Sequence, residues 1–261
     1  MWEIYDDLIN EIPENFIVDE LICGNGMSYV RSGKGSGIAG FHLINETRMP
    51  MFTKNFIGAP LKEIAACVKS WNMAEASIGV AAMNAYYNNA EVAKKNGVEF
   101  SSSRRVEDRL FDPFIMSQNK IKDKKVAVVG HFPHLENLFA PKCQLYIMEW
   151  EPEDGDYPIA ACEYLLPQCD YVYLTNVCIL EKTLPRMLEL SKDAERITMV
   201  GPGTPLAPAL FNYGIEDLSG FMIKDQQLAF RIVSGAENVK IYNAGQKVSF
   251  KKNQRTDNTT L

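Results

Sequence analysis

The sequence predicts an α/β protein in which a small antiparallel β-meander with helices precedes a doubly wound parallel sheet. Three observations predict this fold class. Short β-type runs joined by glycine turns occupy residues 16–43, helical runs fill residues 60–89, and continuous apolar runs alternate with helical segments from residue 126 onward. Continuous apolar strands separated by helices are typical of a parallel sheet that is covered on both faces.

The composition is that of a globular protein. The chain has 261 residues, of which 46% are hydrophobic and 23% are charged, which is enough for two domains. Its formal net charge of −6 disfavours nucleic acid and anionic membrane surfaces as partners. No apolar run reaches the length of about 18 residues that a membrane helix needs, and the acidic N-terminus does not resemble a secretory signal. We therefore expect a cytoplasmic protein that does not enter a membrane.

The cysteines are dispersed and form no Cys-x-x-Cys pair. This spacing argues against a structural zinc or iron–sulfur site and favours reduced thiols in the core. The six are Cys23, Cys67, Cys143, Cys162, Cys169 and Cys178.

The first predicted domain covers residues 1–110. Its elements are helix 3–11, strands 16–23, 27–31 and 38–43, and helices 60–70 and 73–89. Pro13 ends the first helix, and Gly24-Asn25-Gly26 is a hairpin turn signal between the first two strands. Pro60 suits the first turn of the next helix.

The second predicted domain covers residues 111–250 and is Rossmann-like, because strands and helices alternate along it. A polar, basic stretch at 101–125 joins the two domains, and a polar tail at 251–261 is expected to be disordered. The predicted strands are 126–130, 144–149, 171–175, 196–201, 220–223 and 239–242, with helices at 181–191 and 205–213.

Ligands of such sheets bind beyond the carboxyl ends of the strands. The first strand is followed by Gly130-His131-Phe132-Pro133-His134, which keeps only the first glycine of the Gly-x-Gly-x-x-Gly dinucleotide pattern. NAD or FAD is therefore an unlikely cofactor. The imidazoles of His131 and His134 can bind a metal ion or donate a hydrogen bond, and the alternative for His134 is that it flanks the following helix.

Further polar groups follow the second and third strands. Glu149 comes 19 residues after Gly130, close to the position of a ribose-binding acid, and it suits a hard cation equally well. The acids from Glu151 to Asp156 fit a solvated loop better. Thr175 and Asn176 place a hydroxyl and an amide at the same edge of the sheet.

The fourth strand is followed by Gly201-Pro202-Gly203-Thr204, directly before a predicted helix. Free backbone N–H groups and the positive end of a helix dipole favour binding of a carboxylate, phosphate or other oxyanion there. The alternative is a glycine–proline turn in which Thr204 caps the helix. The sequence contains no nucleophile elbow, His-Glu-x-x-His motif or Walker A loop.

Several of these stretches together resemble a bacterial and archaeal family of unknown function that is named for heavy-metal chelation. The resemblance spans residues 3–245, with Glu181 and Gly203 standing where the family often has Asn and Ser. It implies an enolase N-terminal-like first domain, a Rossmann-like second domain, and a cleft between them in which Asn84 faces the loops of the second. The stretches are 77–85, 128–133, 181–184 and 201–211.

Three functions are compatible with these residues. In the first and preferred one, His131, His134 and Glu149 bind Zn, Ni, Co or Fe(II), or the cleft binds a metal-chelating anionic small molecule. In the second, the protein is an enzyme acting on a nucleotide- or pterin-like anion, with His131 as the catalytic acid or base. In the third, the same cleft serves a non-catalytic sensor or carrier. A homo-oligomer is left open.

Overall fold

Two β-sheets form the frame of the protein in a computed structural model that describes residues 2–40, 48–101, 111–133 and 135–252. The first sheet is an antiparallel meander of β1 (Glu20–Gly24), β2 (Met27–Ser32) and β3 (Gly35–Gly40). Asn25 and Gly26 connect β1 to β2 with φ angles of 50° and 70°. Positive φ at both central residues defines a type I′ hairpin turn, for which Asn-Gly is the preferred pair.

The first strand is shorter than predicted. It begins at Glu20, because the preceding backbone pairs elsewhere: Leu61 N donates to Phe16 O at 2.7 Å, and Val18 N donates to Ala59 O at 3.0 Å. The third strand begins at Gly35 rather than at residue 38. The predicted residues 41–43 of that strand lie outside the described residues.

The helices of the first part surround a buried central helix, α3. They are α1 (Glu3–Asn10), α2 (Leu61–Ala65) with a 3-10 turn at Ala66–Lys69, α3 (Met73–Tyr87) and α4 (Ala90–Lys95). The Asn72 side chain caps α3 by accepting from Glu75 N at 2.9 Å. Gly37 of β3 allows the meander to pack closely on α3, because a Cβ there would lie 2.3 Å from Ala81 O.

The second sheet has seven strands in the order β10-β9-β8-β7-β4-β5-β6. All neighbours are parallel except β10, which is antiparallel to β9. The predicted arrangement of a small antiparallel sheet followed by a mostly parallel one is therefore confirmed. The strands are β4 (Lys125–Val129), β5 (Gln144–Glu149), β6 (Tyr157–Pro158), β7 (Tyr171–Thr175), β8 (Arg196–Val200), β9 (Asp217–Ile223) and β10 (Gly245–Lys251).

Short helices connect these strands. They are α5 (Pro113–Ser117), α6 (Leu135–Phe139), α7 (Cys162–Leu165), α8 (Val177–Leu180), α9 (Leu184–Leu190) and α10 (Gln226–Val233). No helix in the described part of the chain is long and apolar enough to cross a membrane.

Two predicted elements of the second part were wrong. Residues 239–242 do not form a strand; a 3-10 turn occupies Ile241–Ala244, and the last strand is β10. The helix predicted at 205–213 is a 3-10 segment at Pro208–Tyr213. Pro205 and Pro208 have no N–H to donate, which prevents a continuous α-helical hydrogen-bond pattern there.

Two hydrophobic clusters run through both parts of the chain. The larger joins Leu8 of α1 and Ile64 of α2 to Leu174 of β7 and Met199 of β8. The smaller joins Tyr29 of β2 to Phe221 of β9, so the first part packs against the large sheet through both. The division at residue 110 stays a prediction, because residues 102–110 lie outside the described part. Of the predicted tail, Lys251 ends β10, and residues 253–261 are likewise outside it.

Candidate metal centre

Glycine at position 130 shapes the loop that presents His131. Gly130 has a φ of +107°, and a Cβ at this position would lie 3.0 Å from Thr175 Cβ, so the turn favours glycine on both counts. Glu149, the last residue of β5, holds this loop in place through hydrogen bonds. Its carboxylate accepts from His131 N at 2.8 Å and from Trp150 N at 2.6 Å.

The imidazole of His131 lies among three carboxylates. Its Nδ1 is 2.9 Å from Asp156 Oδ2, which is a hydrogen-bond distance. Its Nε2 is 3.8 Å from Glu136 Oε1 and 3.7 Å from Glu153 Oε2, too far for hydrogen bonds. The Asp156 side chain is only 2% exposed and also accepts from Glu153 N at 3.1 Å. The ring is thus anchored through Nδ1, with Nε2 directed between two glutamates.

His131, Glu136 and Asp156, hereafter the trio, form the candidate metal centre. Each offers a ligand atom, and these atoms lie within 4.8 Å of one another. Of the predicted metal ligands, His131 belongs to the trio. Glu149 is outside it and binds the two backbone N–H groups instead. His134 lies outside the described residues, so its predicted role stays a prediction.

The three carboxylates around His131 raise the pKa of its imidazole. Burial by itself lowers the pKa of the imidazole. The hydrogen bond to Asp156 and the negative charges of Asp156, Glu153 and Glu136 outweigh burial, so the pKa lies above its ordinary value of 6.5.

In metal-free protein, we therefore expect the imidazole of His131 to titrate above pH 6.5 in an NMR titration. Because the pKa is raised in the folded state, this interaction stabilises the fold fully below the unfolded-state pKa and loses its contribution as pH rises through the folded-state value. Asp156→Asn removes the carboxylate that contributes most to raising the pKa of His131 and should lower the pH midpoint of the imidazole titration. An unchanged midpoint in Asp156→Asn, with Asp154→Asn as the control, would show that Asp156 does not set the protonation of the ring.

A cavity of about 180 Å³ lies beside His131 at the carboxyl ends of β4, β5 and β7. This is where the strand order reverses around β4, the position at which open parallel sheets bind ligands. At the edge of this cavity, the indole of Trp150 donates from Nε1 to Glu181 Oε2 at 2.8 Å. The lining residues are Val129, Gly130, His131, Phe132, Met148, Glu149, Trp150, Ile159, Thr175, Val177 and Glu181.

The loop of Gly201 to Thr204 packs against its neighbours. Cβ atoms at Gly201 and Gly203 would lie 2.1 and 2.5 Å from the side-chain amide of Asn176, so the two glycines make room for that amide. Thr204 N donates to Gly201 O at 3.1 Å, and Thr204 is fully buried. Oxyanion binding by this loop stays a prediction.

Two asparagines of the first part bind this loop and the strand after it. Asn84 Nδ2 donates to Ile38 O and to Gly203 O, both at 2.8 Å; a ligand-binding role for Asn84 stays a prediction. Sequence reasoning missed Asn88, one helical turn further on, whose Nδ2 donates to Thr204 O at 3.0 Å. The spacing of four residues on one helix was the available signal.

Sequence reasoning also missed Glu136, Glu153, Asp156 and Glu181. The acids from Glu151 to Asp156 fitted a solvated loop, and no local pattern marks Asp156 as the buried one. β6 pairs with Met148 and Glu149 of β5, and this pairing brings the preceding Asp156 back to His131.

The thiols are not organised as ligands for a soft metal ion in the described part of the chain. Cys23 is exposed as a residue, but partial burial of its thiol raises the pKa by more than the contact with Ser28 Oγ at 3.2 Å lowers it. A thiolate is the form that binds metals, so protonated thiols disfavour soft-metal coordination. Burial raises the pKa of the other five thiols, to about 12 for Cys67, Cys162 and Cys178 and to about 11 for Cys143 and Cys169.

Comparison with known proteins identifies relatives over nearly the whole chain. Two family models match, DUF364 over residues 112–252 and DUF4213 over residues 5–87, and both carry the description "Putative heavy-metal chelation". The sequence is 62% identical to that of a protein with unknown function from the DUF364 family of Desulfitobacterium hafniense DCB-2, whose crystal structure is known. That structure superimposes with a TM-score of 0.90, covering 97% of this chain and 99% of that one.

Two further proteins match over most of their lengths at lower identity. A crystal structure of a DUF364 protein with unknown function from Pyrococcus horikoshii shares the fold at 19% identity, with a TM-score of 0.73 and coverage of 95% of this chain and 98% of that one. An uncharacterized protein of Methanocaldococcus jannaschii is 28% identical over 255 residues, which is 92% of either chain.

Proposed function

This chain belongs to the DUF364 family, and on that premise we propose that it binds one divalent transition metal ion at His131. The observation that carries the proposal is the set of carboxylates around the imidazole: Asp156 lies 2.9 Å from Nδ1, and Glu136 and Glu153 lie 3.8 and 3.7 Å from Nε2. Imidazole and carboxylate together suit Zn, Ni, Co or Fe(II). The high pKa values of the buried thiols argue against a soft thiolate site.

The hydrogen bonding of the imidazole assigns a role to each nitrogen. Metal-binding histidines usually donate their other ring N–H to a carboxylate, which fixes the ring and raises its basicity. Asp156, at 2.9 Å from Nδ1, fits that orienting role, and Nε2 is then the ligand atom. Glu136 and Glu153 are the carboxylates nearest to Nε2.

The distances around Nε2 fit this assignment. Two ligand atoms about 2.0–2.1 Å from a tetrahedral ion lie about 3.3–3.4 Å from each other. The observed separations from Nε2, 3.8 Å to Glu136 and 3.7 Å to Glu153, exceed that value by a few tenths of an ångström. Small rotations of two exposed glutamates would close the site around an ion.

The test is metal binding by the complete chain, measured by equilibrium dialysis with elemental analysis. We expect one Zn(II) or Ni(II) ion per chain. Asp156→Asn keeps the shape of the side chain and removes its charge, so it should weaken binding by about 10- to 100-fold, as loss of an orienting partner does. Asp154→Asn removes the same charge from an exposed position of the same loop and should leave affinity unchanged. No saturable binding of any of the four metals would refute the proposed function.

The cavity beside the trio favours a metal-bound small molecule as the species that the protein holds. A site that only stored an ion would not need a cavity of about 180 Å³ opening next to the ligand atoms. An enzyme and a carrier would share this site, and turnover of the bound molecule distinguishes them. His131 is the group that could transfer a proton in an enzyme.

The strand order supports the Rossmann-like label for the second part. Across the sheet, six strands follow in the order β6-β5-β4-β7-β8-β9. If β4 is numbered as strand 1 and β9 as strand 6, this is the 3-2-1-4-5-6 order of dinucleotide-binding sheets. The enolase N-terminal-like label for the first part rests on the family resemblance, as does an interdomain cleft.

A further inference from the structure

The side chain of Lys182, just after α8, joins the two parts of the chain. Its ammonium donates to the backbone O of Ser70, a residue that is fully buried. It also lies 3.9 Å from Met73 Sδ and 5.3 Å from the centre of the Trp71 ring. All three partners belong to the first part and lie at the start of α3, so Lys182 ties the second part to that helix.

The backbone of Lys182 has a conformation that favours glycine. Its φ is 62°, and its N–H donates to Ile179 O at 3.2 Å at the end of α8. Glycine is the usual residue with positive φ at a helix end. A residue with a Cβ keeps this conformation only where surrounding contacts hold it, so the contacts of the lysine side chain outweigh the cost.

The residue before Lys182 extends this contact to the metal centre. Glu181 Oε2 accepts from Trp150 Nε1 at 2.8 Å. The carboxylate of Glu149, the residue before Trp150, accepts from Trp150 N at 2.6 Å and from His131 N at 2.8 Å. Peptide bonds join Lys182 to Glu181 and Glu149 to Trp150, so an unbroken series of bonds runs from the first part to His131.

The loop of His131 depends on such support. His131 lies outside the helices and strands, whereas metal ligands must be held within about 0.5 Å of their productive positions. Trp150 is 53% exposed, so packing alone does not fix its indole. The hydrogen bond to Glu181 orients the ring and the backbone that leads to Glu149.

We propose that Lys182 is a positioning residue for the metal centre. By holding Ser70 O, it fixes Glu181 and Trp150 and thereby the loop that presents His131. Metal binding by that loop rests on the proposed function; the positioning of the loop does not. The first part of the chain then controls the affinity of a site to which it contributes none of the proposed ligands.

The first test is NMR of isotope-labelled, metal-free protein. Lys182→Met removes the ammonium and keeps an unbranched side chain beside Trp71. Lys192→Met removes the same charge from an exposed position and is the control. We expect only Lys182→Met to shift the signals of Trp150 Nε1–H and His131 N–H. A contact that merely stabilised the junction would shift the Trp71 signal and leave the His131 signal in place, and that result would overturn the proposal.

The second test is the Zn(II) affinity, measured by equilibrium dialysis. Loss of a partner that orients a ligand directly costs about 10- to 100-fold. Lys182 acts through intervening residues, so we expect binding to weaken by about 3- to 10-fold in Lys182→Met. Lys182→Arg keeps a donor for Ser70 O and should restore most of the affinity. Lys192→Met should leave it unchanged.

A double variant tests whether the residues act in one series. Trp150→Phe keeps an aromatic ring and removes the indole N–H that Glu181 accepts. If Lys182 acts through Trp150, then Lys182→Met should weaken zinc binding much less in Trp150→Phe protein than in the wild type. Equal losses in both proteins, or unchanged affinity in folded Lys182→Met, would contradict the assigned role.

Two provisions keep these tests decisive. If Lys182→Met does not fold, Lys182→Gly takes its place, because glycine suits the positive φ and also lacks the ammonium. Absence of zinc binding by the wild type would refute the proposed function alone, because the spectra of the metal-free protein still test the positioning of His131.

Discussion

Replacing His131 with alanine is expected to lower the affinity for Zn(II) or Ni(II) by at least about 100-fold. Loss of an orienting partner alone costs about 10- to 100-fold in metal affinity, and this substitution removes the only nitrogen ligand among the trio. The remaining carboxylates would form an oxygen-only site, which suits Mg²⁺ or Ca²⁺ better than these metals. Competition titration against a metal-chelating dye measures the loss.

The control for His131→Ala is Asp154→Asn, which leaves all the proposed ligand atoms in place. Circular dichroism and the thermal midpoint of the metal-free variants show whether the fold is retained. We expect an unchanged circular dichroism spectrum, because the His131 side chain is not part of a hydrophobic cluster, and a lower thermal midpoint, because the buried Asp156 carboxylate loses one of its hydrogen-bond partners. Unchanged affinity in a folded His131→Ala protein would contradict the proposed ligand.

Replacing Asn88 with alanine is expected to lower the free energy of unfolding by about 3 kcal/mol or more. Asn88 is 3% exposed. Its Nδ2 donates to Thr204 O at 3.0 Å and to Phe221 O at 3.2 Å, and its Oδ1 accepts from Leu206 N at 2.9 Å. The substitution leaves three buried backbone groups without this partner, and each such group costs about 1–3 kcal/mol.

Urea unfolding measures this effect, and a decrease of the melting temperature by about 6 °C or more should accompany it. Asn243→Ala is the matched control, because Asn243 is exposed and should change stability by less than about 0.5 kcal/mol. A loss below about 1 kcal/mol in Asn88→Ala would mean that water satisfies the three groups and that Asn88 does not hold the two parts together.

Much of the fold could be predicted because its strongest patterns are local. The strands of the parallel sheet are continuous apolar runs, since both of their faces are buried, and β5 and β7 were located with their observed bounds. β10 is different. It alternates buried Val248 and Phe250 with the half-exposed Lys247 and Ser249, and it lies at the edge of the sheet. Because the strand contains fewer apolar residues in a row, the apolar run at 239–242 was predicted as a strand instead.

The candidate site could be predicted only where a residue directly follows a strand. His131 follows β4 by two residues, so topology alone places it at the ligand-binding edge. Asp156 lies 25 residues later, and its burial depends on the pairing of β6 with β5. An acidic loop that folds back and one that stays in solvent have the same local sequence pattern, so tertiary pairing decides between them.

The glycines at 201 and 203 illustrate a second limit. A glycine-rich loop before a helix is typical of an oxyanion site, and the same glycines are required here because Asn176 occupies the space where their Cβ atoms would lie. Glycine in a sequence indicates a close approach but does not identify the approaching group, which can be a ligand or a side chain.

The most direct test of the metal centre is a crystal of the protein grown with Zn(II), with diffraction data collected above and below the zinc absorption edge. The account predicts one anomalous peak per chain, about 2.0–2.1 Å from Nε2 of His131, with oxygen ligands from Glu136 and Glu153 and with Asp156 still bonded to Nδ1. A peak elsewhere, or none in a crystal whose protein binds zinc in solution, would contradict it.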